Sequence, residues 1–152
     1  MPWTTPKTWA VGAILPAAEL NTYLRDNTNE LKTPPTAAIE QTVTYSTTST
    51  TYVDINAALN LSIVTNGGRL LVVARFTASL SSGSSYDIKW QLNGSDIEGA
   101  FSNSVVQFPG QCTVFWTGTL AAGTHAIKPQ WRSPAAATLS TTFQSIVIRE
   151  VS

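Results

Sequence analysis

The sequence predicts a mainly β fold, an antiparallel jelly-roll-like β-sandwich preceded by an N-terminal arm and one α-helix. Three observations predict it. From residue 38 onward, apolar and polar residues alternate in short runs bounded by Gly, Pro, Asn and Ser turn signals. No helical period recurs between those runs, which argues against a parallel α/β sheet. Residues 1–33 have a different character: an arm carrying Trp3 and Trp9 leads into a single amphipathic stretch.

The arm contains Pro2, Pro6 and Gly12, which break regular structure. Burial of one aromatic side chain is worth about 1.5–3 kcal/mol, so Trp3 and Trp9 pack either back on their own domain or on a neighbouring subunit. The helix runs from Pro16 to Leu31. Pro16 suits a first-turn position, and Glu19 suits the positive end of the helix dipole. Leu20, Tyr23, Leu24 and Leu31 share one face, and the polar Asn27 interrupts it. This narrow stripe fits a helix–helix seam or a helix lying on a sheet, with Asn27 fixing register. Arg25 and Asp26 are placed to pair across subunits or to cap neighbouring chain ends. Residues 34–37 read as a short stiff linker, and residues 38–152 as the sandwich.

Within the sandwich, Ile39, Gln41, Val43 and Tyr45 alternate with polar residues, as do Leu59, Leu61 and Ile63. Leu70 to Leu80 reads as a long central strand. Tyr86, Ile88, Trp90 and Leu92 alternate with Asp87, Lys89 and Gln91, and Asn93-Gly94 then supplies a tight hairpin turn. A short strand over Val105–Phe108 ends at Pro109-Gly110. Cys112, Val114 and Trp116 alternate with Thr113, Phe115 and Thr117, so both faces of that strand carry cover. Pro129 places the His125–Trp131 strand at an edge or a bulge. Leu139 to Ile148 closes the set, for roughly eight to ten strands.

The chain has 152 residues, and nine Lys/Arg balance nine Asp/Glu. With 12% charged residues there is no basic field for nucleic acid or an anionic membrane. One cysteine excludes an intrachain disulfide. Neither a secretory leader nor an apolar run long enough to span a bilayer is evident, so the expected place of synthesis is a cytoplasm.

Catalytic chemistry is sparse. His125, the single histidine, reads as a strand-end residue bonded to a backbone group. A triad with Asp87 or Asp96 lacks a nucleophile elbow. Cys112 reads as a buried, inert thiol. Asp96 and Glu98 read as solvent-facing charges opposite Lys or Arg, not as a glycosidase pair. Trp90, Trp116 and Trp131 read as core. No metal or cofactor is called for, and the expected protein is not an enzyme.

The opening segment resembles a motif found near the N-termini of tailed-bacteriophage virion proteins. Pro6, Thr8, Trp9, Gly12, Ala17, Ala18, Leu20, Asn21, Arg25, Asp26, Asn27 and Leu31 match it. It departs where Ala13 follows Gly12 and where Pro16 occupies the turn. The remainder is similar to the small sandwich domains of phage fibres and tail tips and to trimeric C1q/TNF-like jelly rolls. Thr51–Ile55, Gly68–Val72, Leu92-Asn93-Gly94, Leu120–His125, Lys128 and Trp131 carry that similarity. It implies a non-enzymatic virion protein made in a bacterial cytoplasm, with a tail-fibre or tail-tip adhesin expected first. A capsid decoration or head-fibre protein is the alternative, and a carbohydrate-binding module a further one. The expected partners are further copies of itself (a homotrimer), other virion proteins, and a host-surface glycan or protein. Trp3, Trp9, Leu20, Asn21, Tyr23, Leu24, Arg25, Asp26, Asn27 and Leu31 are the expected anchoring and assembly residues.

Overall fold

The computed structural model describes residues 4–82, 85–97, 101–103 and 108–151. The chain divides into two compact units, Met1–Pro35 and Thr36–Ser152. Two of the four residues expected as linker therefore belong to a strand, since Thr36 and Ala37 are in register with Arg149 and Ile148.

In the first unit, an extended arm precedes α1 (Ala17–Leu20), a π-helical segment (Asn21–Asp26) and α2 (Asn27–Lys32). Pro16 lies just outside the helix with φ −62° and ψ 140°, flanking the first turn. The π segment replaces i→i+4 bonding with i→i+5 bonding and widens the turn. Residues on either side of it no longer share the expected stripe. Leu24 and Leu31 are 54% and 61% exposed, whereas Asn27 is buried.

The second unit begins with β1 (Thr36–Gln41), β2 (Tyr45–Thr47), β3 (Val53–Asp54), β4 (Leu61–Thr65) and β5 (Arg69–Leu80). It continues with β6 (Tyr86–Leu92), β7 (Ser95–Asp96), β8 (Phe101–Asn103), β9 (Phe108–Trp116), β10 (Gly123–Arg132) and β11 (Leu139–Val151). One sheet runs β1–β11–β5–β9, with β2 continuing the β1 edge; the other runs β3–β10–β6–β7, with β4 and β8 continuing its edges. All pairs are antiparallel. Counting β1/β2, β3/β4 and β7/β8 as single broken strands, the sheet orders are first-eighth-third-sixth and second-seventh-fourth-fifth. This is the double Greek key of a jelly roll.

The core lies between the sheets. Leu70, Val72, Ala74 and Phe76 from β5 and Ile146 and Ile148 from β11 meet Ile88, Trp90, Ile127 and Trp131 from the facing sheet. Trp90 bridges the layers, with ring centroids 6.1 Å from Phe76 and 5.4 Å from Phe115. The Asn93-Gly94 turn forms as expected, with φ of 51° and 84°, the left-handed pair a two-residue hairpin requires. Gly68 is needed for a different reason: a Cβ there would stand 2.9 Å from the Val151 carbonyl.

Two strand expectations are corrected. Pro129 lies within β10, an interior strand, not at an edge or a bulge. Its carbonyl accepts from Ile55 N, 3.4 Å away, so its nitrogen faces the same side. There β4 pairing stops at Ile127 and β3 pairing starts at Gln130. The missing N–H falls in a break where no acceptor waits. The second correction concerns Pro109-Gly110. They do not end a strand, because β9 runs through them, and β9 is an edge strand, which tolerates Pro. The expected segment 105–107 lies outside the described residues.

Candidate functional site

Three surfaces are candidates: the N-terminal unit and the two outer faces of the sandwich. In the N-terminal unit, polar and aromatic groups clasp the arm to the helix. Asn27 accepts from Thr4 N at 2.9 Å and donates to Thr4 O at 2.7 Å. A buried amide is thus satisfied by backbone of its own chain. Trp9 packs edge-to-face on Tyr23, with centroids 5.9 Å apart, and donates to Glu19. Lys7 pairs with Glu19 at 2.8 Å, and this bond, followed by the Trp9 bond, holds the Glu19 carboxyl below its ordinary range. Arg25 pairs with its neighbour Asp26 at 2.8 Å. Leu20 and Tyr23 are half-buried and Asn21 is exposed. Trp3 lies outside the described residues. Val11, Ile14, Leu15, Leu24 and Leu31 remain as exposed apolar side chains.

The outer face of the β3–β10–β6–β7 sheet is polar and closely paired. Register sets Gln130 beside Asp54 and Lys89, Lys128 beside Gln91, and Gln91 beside Asp96. Asp54 accepts from Lys128 at 2.9 Å and from Gln130 at 2.6 Å. Asp96 accepts from Lys89 and Gln91, both at 2.8 Å. Asp96 therefore does face Lys, while Glu98 lies outside the described residues. The Gln130 bond first, then Lys128, lowers the Asp54 pKa; Lys89 first, then Gln91, lowers that of Asp96. Arg132 binds the buried Asp87 at 2.6 Å. Tyr52 is gripped by two cations, Lys89 Nζ at 4.5 Å and the Arg132 guanidinium at 4.6 Å from the ring centroid. The sequence signal was the alternation Asp87, Lys89, Gln91 against Lys128, Gln130, Arg132. Tyr52 was missed because it precedes its strand by one residue.

The outer face of the β1–β11–β5–β9 sheet is apolar. Val114, Trp116, Val147 and Val151 are exposed there. So is Cys112, which corrects its reading as a buried thiol. Trp116 is likewise no core residue, whereas Trp90 and Trp131 are fully buried. Thr113 and Phe115 of β9 and Thr117 just after it face inward, and the Thr117 hydroxyl accepts from Leu70 N at 2.9 Å. That bond lets a polar side chain occupy the inner face.

His125 sits at the hairpin. Its Nε2 donates to the Ala121 carbonyl at 2.9 Å, and Nδ1 accepts from Asn93 Nδ2 at 3.0 Å. It is bonded to backbone, as its position at a strand end implied. Among the described residues, no group of three or more His, Cys, Asp or Glu is placed to hold a metal.

No family model matches the sequence and no curated protein matches it. Solved structures similar to the chain include the sugar-binding EclA C-terminal domain, at 11% identity over 73% of this chain and 77% of that one, TM-score 0.45. A family 35 carbohydrate binding module from Clostridium thermocellum is similar at 13% identity over 73% and 88%, TM-score 0.40. A cycloisomaltooligosaccharide glucanotransferase from Paenibacillus sp. is similar at 16% identity over 72% of this chain but 18% of that one, TM-score 0.39. At these identities and scores the likeness brings neither a ligand nor an activity to this chain.

Proposed function

We propose that the chain is a non-enzymatic structural protein of a bacteriophage virion. Its N-terminal unit attaches to a neighbouring virion protein, and its jelly roll is displayed outward as a tail-fibre or tail-tip adhesin. One observation carries the attachment. The unit uses its polar groups internally, through the Asn27–Thr4 and Glu19–Lys7–Trp9 clasps, and leaves Val11, Ile14, Leu24 and Leu31 facing outward. Exposed apolar side chains beside these internally bonded polar groups mark a contact surface. The resemblance of residues 6–31 to virion N-termini supplies the class of partner. Particles assembled with Ile14→Asp or Leu24→Asp should carry several-fold less of this protein, measured by mass spectrometry of purified virions. Undiminished incorporation of both variants would overturn the attachment role. Density for the jelly roll on the capsid of the intact particle, not on the tail, would select the decoration alternative.

A second reading, glycan binding, is favoured by the polar face. Asp54, Gln130, Lys128, Gln91, Asp96 and Lys89 form a fixed array of donors and acceptors beside the Tyr52 ring. An aromatic ring edged by such groups suits a sugar, whose C–H face stacks while its hydroxyls bond. Sugar or carbohydrate binding is also the role of the EclA domain and the family 35 module, but this reading stands on the face and not on that likeness. Glycan-array binding that Tyr52→Ala abolishes would support it; an empty array would remove it and leave the virion reading intact.

A further inference from the structure

We propose that Asn93-Gly94, at the tip of the β6–β7 hairpin, is a site of spontaneous backbone modification that His125 holds closed. Asn-Gly occurs twice in the chain, at Asn66-Gly67 and Asn93-Gly94. In an unfolded chain this dipeptide rearranges readily. The Gly nitrogen, which no Cβ shields, attacks Cγ of the Asn side chain. A Cγ–N bond forms, the Cγ–Nδ2 bond breaks, and ammonia leaves with the proton displaced from the Gly nitrogen. Water then opens the succinimide ring to Asp or to isoaspartate, which carries one further backbone atom.

Bulk does not shield this site. Asn93 and Gly94 are both exposed, and a Cβ added at Gly94 would meet no atom within 4 Å. Conformation is what opposes the reaction. With φ of 51° and 84° the two residues form a left-handed turn. That turn points the Gly94 nitrogen away from the Asn93 Cβ, whereas ring closure needs both on the same side. Three bonds hold Asn93 there. Its N donates to Ala126 O at 2.8 Å and its Oδ1 accepts from Ala126 N at 2.9 Å, which extends the β6–β10 ladder one rung beyond Leu92 and Ile127. Its Nδ2 donates to His125 Nδ1 at 3.0 Å. His125 is fixed by its Nε2 bond to the Ala121 carbonyl at 2.9 Å, and that carbonyl also accepts from Thr65 Oγ1 at 3.0 Å.

His125 contributes chemistry as well as position. Its Nε2 proton is committed to Ala121, so Nδ1 presents a lone pair. The departing Nδ2 has to gain a proton, and Nδ1 in this tautomer has none to give. Ala126 N alone would favour the reaction, because a donor on Oδ1 stabilises the charge that builds there as Cγ becomes tetrahedral. His125 is therefore the positioning residue whose loss should free the site. Isoaspartate in place of Asn93 would lengthen a two-residue turn and pull Ser95 and Asp96 out of register with Leu92 and Gln91. The damage would fall on the polar face. This inference does not depend on the proposed function.

Prolonged incubation of the full chain at mildly alkaline pH tests it. Peptide mass spectrometry locates amide loss at Asn93 and Asn66, and enzymatic methylation counts isoaspartate. Folded wild-type chain should convert Asn93 many-fold more slowly than the same chain in urea. His125→Phe, with its circular dichroism unchanged, should speed conversion of Asn93 several-fold and leave Asn66 unchanged. His125→Gln keeps one acceptor and one donor and should restore most of the protection. Equal rates at Asn93 in folded and urea-unfolded wild-type chain would overturn the proposal. So would an unchanged rate at Asn93 in His125→Phe, an acceleration shared by Asn66, or a His125→Gln chain that converts as fast as His125→Phe.

Discussion

The two outer faces of the sandwich rest on the same core and follow the same two-residue alternation, yet they end differently. On one, every carboxylate among the described residues finds a cation or an amide: Asp54 with Lys128 and Gln130, Asp96 with Lys89 and Gln91, Asp87 with Arg132. On the other, valines, a tryptophan and a thiol meet solvent, and Glu40 takes part in no ion pair among the described residues. Alternation shows that a strand has two sides; which side is finished depends on what its neighbours offer.

The layer that supports both faces should give the largest effect. Trp90→Ala removes the ring that joins Phe76 to Phe115 and should cost about 3–5 kcal/mol in urea unfolding. A loss under about 1 kcal/mol would mean that the sheets do not share this core. On the polar face, Asp87→Ala leaves Arg132 without its 2.6 Å partner. Because solvent reaches the guanidinium, the expected cost is only about 1–2 kcal/mol.

Acid should act on the polar face next. The Asp54 and Asp96 pKa values lie below the ordinary 3.8 in the folded chain. Their contribution is therefore fully present above that value and is lost as pH falls through the lower folded values. Stability should decline on acidification below about pH 4, and Asp54→Asn should flatten that decline. An unchanged slope in Asp54→Asn would show that the Lys128 and Gln130 bonds are not kept in solution. The smallest effect belongs to the apolar face. Val147→Thr should change unfolding of the isolated monomer by no more than about 0.5 kcal/mol, because its side chain already meets water.

The same contrast shows what the sequence made legible. The long run Leu70–Leu80, the Asn93-Gly94 hairpin and the clean Tyr86–Leu92 alternation were readable because local chemistry alone decides them. The inward side of β9 was not. Cys112, Val114 and Trp116 look more apolar than Thr113, Phe115 and Thr117, yet the latter face inward. The Thr117 hydroxyl is satisfied by Leu70 N, a group 47 residues away, and no local pattern reveals that. Asn27 misled for a similar reason. Its amide looked like a flaw in an apolar stripe, but its partner is the backbone of Thr4, 23 residues earlier. Pro129 suggested an edge and sits in an interior strand, because a gap between two partner strands serves its nitrogen as an edge would. The polar face was partly legible as charges on alternate positions. Tyr52 was not, since nothing local places it between Lys89 and Arg132.

The first and last strands of the jelly roll are neighbours, and Thr36 stands in register with Arg149 near the end of β11. Tension between these two ends would part β1 from β11 one rung at a time, as a zipper opens, and the domain would yield to a weak pull. Tension entering along β1 and leaving through a gripped sheet face would instead shear all the rungs of β1 together. The direction of loading, more than the depth of the core, would then set how hard this domain can be pulled before it gives way.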